Sequence, residues 1–330
     1  MGRERSGTTL LQVMLNGQPN IVAPPEARFM LIWYSRYGHI KKWTEKLVRK
    51  FVDDLYTERL FANFWGVEKE KLLNNLLSVK EKLTYPLLCK IIYWHAAPEG
   101  KDVKVFVDKN PIYYHFLPEL AKLFPEAKYI HIVRDYRDNM VSHKKVFYIK
   151  NTGYVAYHWM AINKLLEEAK NKNLEKWMTL TYEQFVTDPN QAVEGVCKFL
   201  GVQFEVNAMR HEERIYAGFQ KNKDNARLNL FHENIFKPID PSHIGEWKQK
   251  LAKEDVIIAE AIAGEFAEKQ YGYKRSLVEA TINGSALARA RRRYNLSRKI
   301  IRAAVANPRL YSLIRSYWRA FIKDKTTAKK

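Results

Sequence analysis

The chain has 330 residues, a formal net charge of +20, 46 % apolar residues and two cysteines, Cys89 and Cys197. That length suits one large α/β core with an appendage, and two cysteines exclude a disulfide framework and a cysteine metal cluster. No run of about 18 apolar residues occurs, so no membrane span is expected, and the surplus of cations calls for an anionic ligand, a nucleic acid or an anionic membrane.

The first stretch, Gly2-Arg3-Glu4-Arg5-Ser6-Gly7-Thr8-Thr9, has the glycine spacing of a phosphate-binding loop, whose N–H groups and following helix N-terminus attract anions. Thr8 stands where a Walker A loop has its lysine, and the available cation is Arg5, inside the loop. This favours a singly charged sulfonate over a magnesium-bound triphosphate. A phosphate loop in a doubly wound sheet follows a buried strand. Only Met1 precedes Gly2, so the first strand is expected to lie upstream, its absence leaving strand edges open.

Residues 10–18 read as a helix ending near Gly17. Pro24 and Pro25 hold the next loop extended and set the direction of Glu26. Residues 29–100 read as helices rich in Trp and Tyr, including Trp33, Trp43, Phe51, Phe61 and Trp65. Such rings suit a core better than a ligand pocket, although a lid over an acceptor belongs here. Lys104–Val107 is a short strand that ends in Asp108-Lys109-Asn110-Pro111. Tyr129–Val133 is a buried strand running into Arg134-Asp135-Tyr136-Arg137-Asp138, with Ser142 eight residues after Arg134. A helix over 154–171 surrounds Trp159. Residues 177–185 form a strand and turn carrying Tyr182-Glu183, and Asp188-Pro189 opens a helix that Gly201 stops. After Glu205 a polar, basic stretch runs through Lys223. Trp247 follows, and then a helix over 253–270. The tail, 285–330, holds 14 Lys and Arg against one acid, Asp324. Pro308 divides it into two helices that mix cations with Leu296, Ile300, Leu313 and Trp318, a pattern suited to an anionic membrane surface.

Arg5-Ser6-Gly7-Thr8-Thr9, Arg134…Ser142 and Tyr182-Glu183 together resemble the sulfotransferases that use 3′-phosphoadenosine 5′-phosphosulfate (PAPS), of the bacterial type and similar to tyrosylprotein and Golgi sulfotransferases. The resemblance covers about residues 2–273. It implies a P-loop-like three-layer α/β sandwich with a central parallel sheet. Ser6, Gly7, Thr8 and Thr9 would cradle the 5′-phosphate, with Arg5 and Lys109 on the sulfonate. Arg134 and Ser142 would hold the 3′-phosphate, and Tyr182 would lie near the nucleotide. Glu26-x-Arg28 matches the Glu-x-Arg of tyrosylprotein sulfotransferases, making Glu26 the base and placing Arg28 towards the acceptor. Lys248 departs from the pattern, because Glu246 rather than a cation precedes Trp247.

The reading is a sulfotransferase domain over 1–275, with 29–100 as a helical acceptor-binding insertion and 285–330 as a basic extension. It releases 3′,5′-ADP, needs no metal, and acts on a hydroxyl of a carbohydrate, lipid or peptide. A cytoplasmic place, peripheral at a membrane through the tail, is expected, and nucleic acid is not an expected partner. Two alternatives stand beside it: a nucleotide kinase or NTPase, which Thr8 disfavours, and an inactive nucleotide-binding adaptor on membrane or nucleic acid, which the intact Glu26, Lys109 and Arg134 disfavour.

Overall fold

The computed structural model describes residues 1–147, 149, 151–209 and 238–307. Helix α1 (Thr8–Gly17) starts directly after the glycine loop. Strand β1 (Ile21–Val22) pairs in parallel with β2 (Val105–Phe106), Ile21 opposite Val105. Strand β3 (Tyr129–Val133) pairs in parallel with β4 (Trp177–Thr181), from Tyr129 opposite Trp177 to Val133 opposite Thr181. Parallel pairs need long crossovers, and helices supply both of them.

The parallel sheet is therefore present as two pairs. Met1 alone extends the ladder of β3: Ile132 N–H donates to the Met1 carbonyl at 2.9 Å, and the Met1 amino group donates to the Ile130 carbonyl. Neighbouring strands bond only at about 4.8 Å. Between β2 and β3 lies instead a cavity of about 550 Å³, lined by Val105, Val107, Ile130, Leu11, Leu15 and Tyr93 among others.

The first crossover holds α2 (Phe29–Ile32), α3 (Tyr34–Tyr37), α4 (Glu45–Tyr56), α5 (Arg59–Phe64), α6 (Lys69–Ser78) and α7 (Tyr85–His95). In α4, Val48, Phe51, Val52 and Leu55 fall at i, i+3, i+4 and i+7 and are all buried, the pattern of one apolar helix face. Thr44 caps it, accepting the Leu47 N–H at 3.3 Å. The rings form this region's own core. Trp33, Trp43, Phe51, Phe61 and Trp65 are all buried, and Phe51 meets Tyr37 edge-on at 5.1 Å.

Helix α8 (Leu117–Leu123) leads to β3. Helices α9 (Tyr136–Phe147) and α10 (Thr152–Lys170) cross to β4, with Trp159 of α10 fully buried. Helices α11 (Tyr182–Thr187) and α12 (Pro189–Leu200) follow, and Gly201 ends α12 in the left-handed region at φ 80°. After α13 (Trp247–Lys250), the helix expected over 253–270 appears as α14 (Lys253–Ala259) and α15 (Glu265–Tyr271), joined by a π turn at Glu260–Gly264. The last described helix, α16 (Gly284–Ala306), packs Ala290 and Tyr294 inward, and Val305 joins the core of the helical region. The second tail helix and the basic stretch around Lys223 lie outside the described residues. Both cysteines are buried thiols.

Candidate active site

The loop lies against β3 and the first residue of α11. A Cβ on Gly2 would meet the Ile132 carbonyl oxygen at 2.4 Å, and one on Gly7 would meet the Tyr182 ring at 2.7 Å. Both residues also have left-handed φ, 154° and 86°, so only glycine fits at either position. Arg5 is the one non-glycine residue with positive φ, 70°, among the described residues. Its strained backbone turns the side chain toward α9, where Nε donates to Ser142 Oγ at 3.0 Å. Arg134, at the end of β3, lies over the Tyr182 ring at 4.3 Å and donates to the Arg5 carbonyl at 3.4 Å. Arg5, Gly7, Arg134, Ser142 and Tyr182, spread over 178 residues of sequence, thus meet at one place. Burial, and next to it the charge of Arg134, pull the Arg5 guanidinium down to about 10. Two neighbouring guanidiniums beside the N–H groups that open α1 make an anion site.

Ser6 takes another direction. It is buried, and its hydroxyl accepts from Asn139 Nδ2 at 3.1 Å, while the same amide donates to the Glu4 carbonyl at 2.8 Å. The Ser6 side chain therefore anchors the loop to α9. Asn139 carried no motif signal beyond its place three residues before Ser142, on the same helix face.

The second centre forms where α1 faces the end of β2. Lys109 Nζ donates to Thr9 Oγ1 at 2.9 Å and to Glu26 Oε1. The loop that carries Glu26 is fixed from several sides. Ala23 N–H donates to Asn16 Oδ1 at 2.8 Å, Gln12 donates to the Pro24 carbonyl, and Trp65 Nε1 donates to the Pro25 carbonyl at 2.9 Å. Asn110 Nδ2 reaches the Ala27 carbonyl at 2.8 Å, so the residue after Lys109 holds the residue after Glu26. Asp108 accepts from Tyr113 and Asn110, and burial pushes its carboxyl up to about 6. Arg28 is half-buried, and its carbonyl opens α2 by accepting from Leu31 and Ile32.

The turn after β3 is braced from the C-terminal part of the chain. Arg137 forms a two-pronged pair with Asp135, at 2.7 and 3.0 Å, bonds Glu260 at 2.8 Å, and lies over the Trp247 ring at 3.9 Å. Asp138 accepts the Gly245 and Trp247 N–H groups at 2.7 and 2.9 Å. Glu183 accepts the Asp135 N–H at 3.0 Å and the Tyr273 hydroxyl at 2.7 Å. Glu260 reaches Arg137 from within the π turn, a local widening often found at functional sites. Lys248 is exposed.

The model of the Sulfotransferase family matches residues 1–206 of the chain. The chain belongs to the sulfotransferase family. This sulfotransferase-family chain is 26 % identical to protein-tyrosine sulfotransferase 1 of Danio rerio over 259 residues, covering 76 % of this chain and 65 % of that protein. It is 25 % identical to the protein-tyrosine sulfotransferase of Drosophila melanogaster over 257 residues, covering 74 % of this chain and 46 % of that protein. It thus spans less than two thirds of these relatives' own length. Among solved structures, the sulfotransferase domain of the Synechococcus PCC 7002 olefin synthase has a similar fold, with a TM-score of 0.53 and 21 % identity over 79 % of this chain and 92 % of that one. The sulfotransferase domain of the curacin biosynthetic pathway gives a TM-score of 0.52 and 20 % identity over 81 % and 95 %. The α/β sulfotransferase fold follows from these likenesses. No helix among the described residues is long and apolar enough to cross a membrane.

Proposed function

We propose that this chain transfers the sulfonate of PAPS to a hydroxyl group of an acceptor, with Glu26 as the base. The observation that carries the reading is the meeting of Glu26, Lys109 and Thr9 at the start of α1, next to the Arg5–Arg134 anion site. Two guanidiniums and a glycine cradle suit a nucleotide with phosphates at both ends. Arg134 and Ser142 take the 3′-phosphate. Gly7, Thr8 and Thr9 take the 5′-phosphate, with Ser6 holding the loop from behind. Arg5 and Lys109 face the sulfonate, and Tyr182 flanks the nucleotide.

Bound PAPS supplies the sulfonate: the acceptor oxygen bonds to sulfur as the bond from sulfur to the 5′-phosphate oxygen breaks, the hydroxyl proton goes to Glu26, and 3′,5′-ADP leaves. The protein's part is positioning and charge stabilisation, as in phosphoryl transfer. Lys109 stabilises charge developing on the leaving oxygen. Arg28 and the helical region 29–100, whose Trp65 just after α5 holds the Glu26 loop, form the acceptor side. The names of the relatives support a tyrosyl peptide as the first acceptor to try; carbohydrate and lipid alcohols offer the same O–H chemistry.

Glu26→Gln tests the reading, because it keeps shape and removes the base. With labelled PAPS and an accepted substrate, turnover is expected to fall by about 10²–10⁴-fold with 3′,5′-ADP affinity unchanged. Wild-type turnover under conditions where chemistry limits the rate would assign the base elsewhere.

A further inference from the structure

The proposed reaction leaves α16 unexplained, and its two faces differ sharply. The inner face is fastened to the body. Ala290, Tyr294, Ala304 and Val305 are buried, Tyr294 packs on His158 at 5.4 Å, and Arg302 bonds Glu119 and the His115 carbonyl. The Ala306 carbonyl accepts from Ser35 at 3.1 Å, so the helix is held at its far end as well. The side of the helix that faces solvent is therefore set by packing.

That outer side has a definite composition. Leu296 and Ile300, one turn apart, are 59 % and 42 % exposed. At 100° per residue Arg293 lies on one flank of them and Arg292 and Lys299 on the other, while Arg289 lies in line with the strip about two turns towards the N-terminus, and all four cations are exposed. Residues 284–306 contain no Asp or Glu. Among the described residues, Arg302 alone of the cations on this helix has an ion-pair partner. Arg293 lies over the Tyr154 ring at 4.6 Å and Arg289 bonds Ser285. Neither contact neutralises charge.

We propose that this outer face docks the protein on an anionic lipid bilayer surface. An apolar strip bordered by cations is the arrangement of an interfacial helix, with Leu296 and Ile300 entering the boundary of the acyl chains and the flanking cations meeting headgroup phosphates. Each basic side chain close to an anionic leaflet strengthens binding by roughly five-fold. A nucleic acid would use the cations and leave Leu296 and Ile300 in water. A second copy of the chain would set like charges against each other. Both fit the face less well than a bilayer does.

The test uses the full chain and sedimentation with vesicles. Wild-type protein is expected to pellet with mixed phosphatidylglycerol and phosphatidylcholine vesicles, to stay in the supernatant with phosphatidylcholine alone, and to be released at high salt. Arg292→Gln with Lys299→Gln is expected to weaken the partition by about 25-fold, and Leu296→Gln with Ile300→Gln by on the order of ten-fold. All four side chains are exposed, and unchanged melting temperature and 3′,5′-ADP binding check that the variants fold. Wild-type protein that ignores anionic vesicles overturns the proposal, and so does partition that neither double variant changes. Duplex DNA held equally by wild type and by the Leu296→Gln, Ile300→Gln variant, with vesicles unbound, would identify a phosphate-backbone face instead.

Discussion

Around the glycine loop, polar side chains reach the backbone of distant segments: Asn139 the Glu4 carbonyl, Asp138 the Gly245 and Trp247 N–H groups, Trp159 the Arg134 carbonyl at 3.0 Å. In the helical region 29–100, contact is made by rings, with Phe29 edge-on to Phe61 at 5.8 Å and to Trp65 at 5.5 Å. Hydrogen bonds are short and directional, so the first region fixes the positions of individual polar atoms. Apolar packing is close but non-directional, so the second region supplies stability without specifying polar geometry. Trp65 belongs to both, since its ring packs in the aromatic core and its Nε1–H holds the loop beside Glu26.

The largest expected effect lies in the aromatic core. Phe51→Ala removes a fully buried ring and is expected to cost about 3–5 kcal/mol of stability, read as a large fall in melting temperature. At low temperature the folded protein is expected to bind 3′,5′-ADP as before. Lost affinity in that folded fraction would erase the division between the two regions.

Arg134→Ala probes the other side. It is expected to weaken 3′,5′-ADP by about 1.5–3 kcal/mol, the worth of a charge-assisted bond, with little change for 5′-AMP, which lacks the 3′-phosphate. The melting temperature should move much less than with Phe51→Ala. Equal losses for both nucleotides in calorimetry would remove the 3′-phosphate from Arg134.

Trp65→Phe tests the link between regions with the smallest change. It keeps an aromatic ring and deletes the bond to the Pro25 carbonyl, an interaction of about 1 kcal/mol. Turnover is expected to drop several-fold while 3′,5′-ADP affinity stays constant. A change in nucleotide affinity with turnover intact would mean that Trp65 supports the nucleotide side instead.

Much of the site was legible before the fold. The loop glycines, the Arg134–Ser142 spacing and the Pro24-Pro25 constraint on Glu26 are local patterns, and the structure brings Glu26 to Lys109 and Arg5 to Ser142. The stop of α12 at Gly201 was legible for the same reason, since left-handed φ at a helix end is a property of one residue. Other features carry no local signal. Asn110, Asn139 and Asp138 are common polar residues whose partners lie 83, 135 and 107 or more positions away. The inward turn of Ser6 depends on Asn139.

By itself the sequence determined the chemistry available: a lysine-free glycine loop, an arginine inside that loop and another at the end of a buried strand, one carboxylate on a proline-stiffened loop, and an acid-free amphipathic helix. Those properties reside in residue types and short spacings, which backbone sterics and helix periodicity convert directly into local structure. Tertiary structure alone decided which groups meet and which face remains in solvent. Lys109 finds Glu26 because Asn110 ties their two loops, and Leu296 and Ile300 face outward because Ala290 and Tyr294 face α10. Both outcomes depend on the packing of segments far apart in the chain, where directional hydrogen bonds and apolar burial select one arrangement from many that local pattern permits.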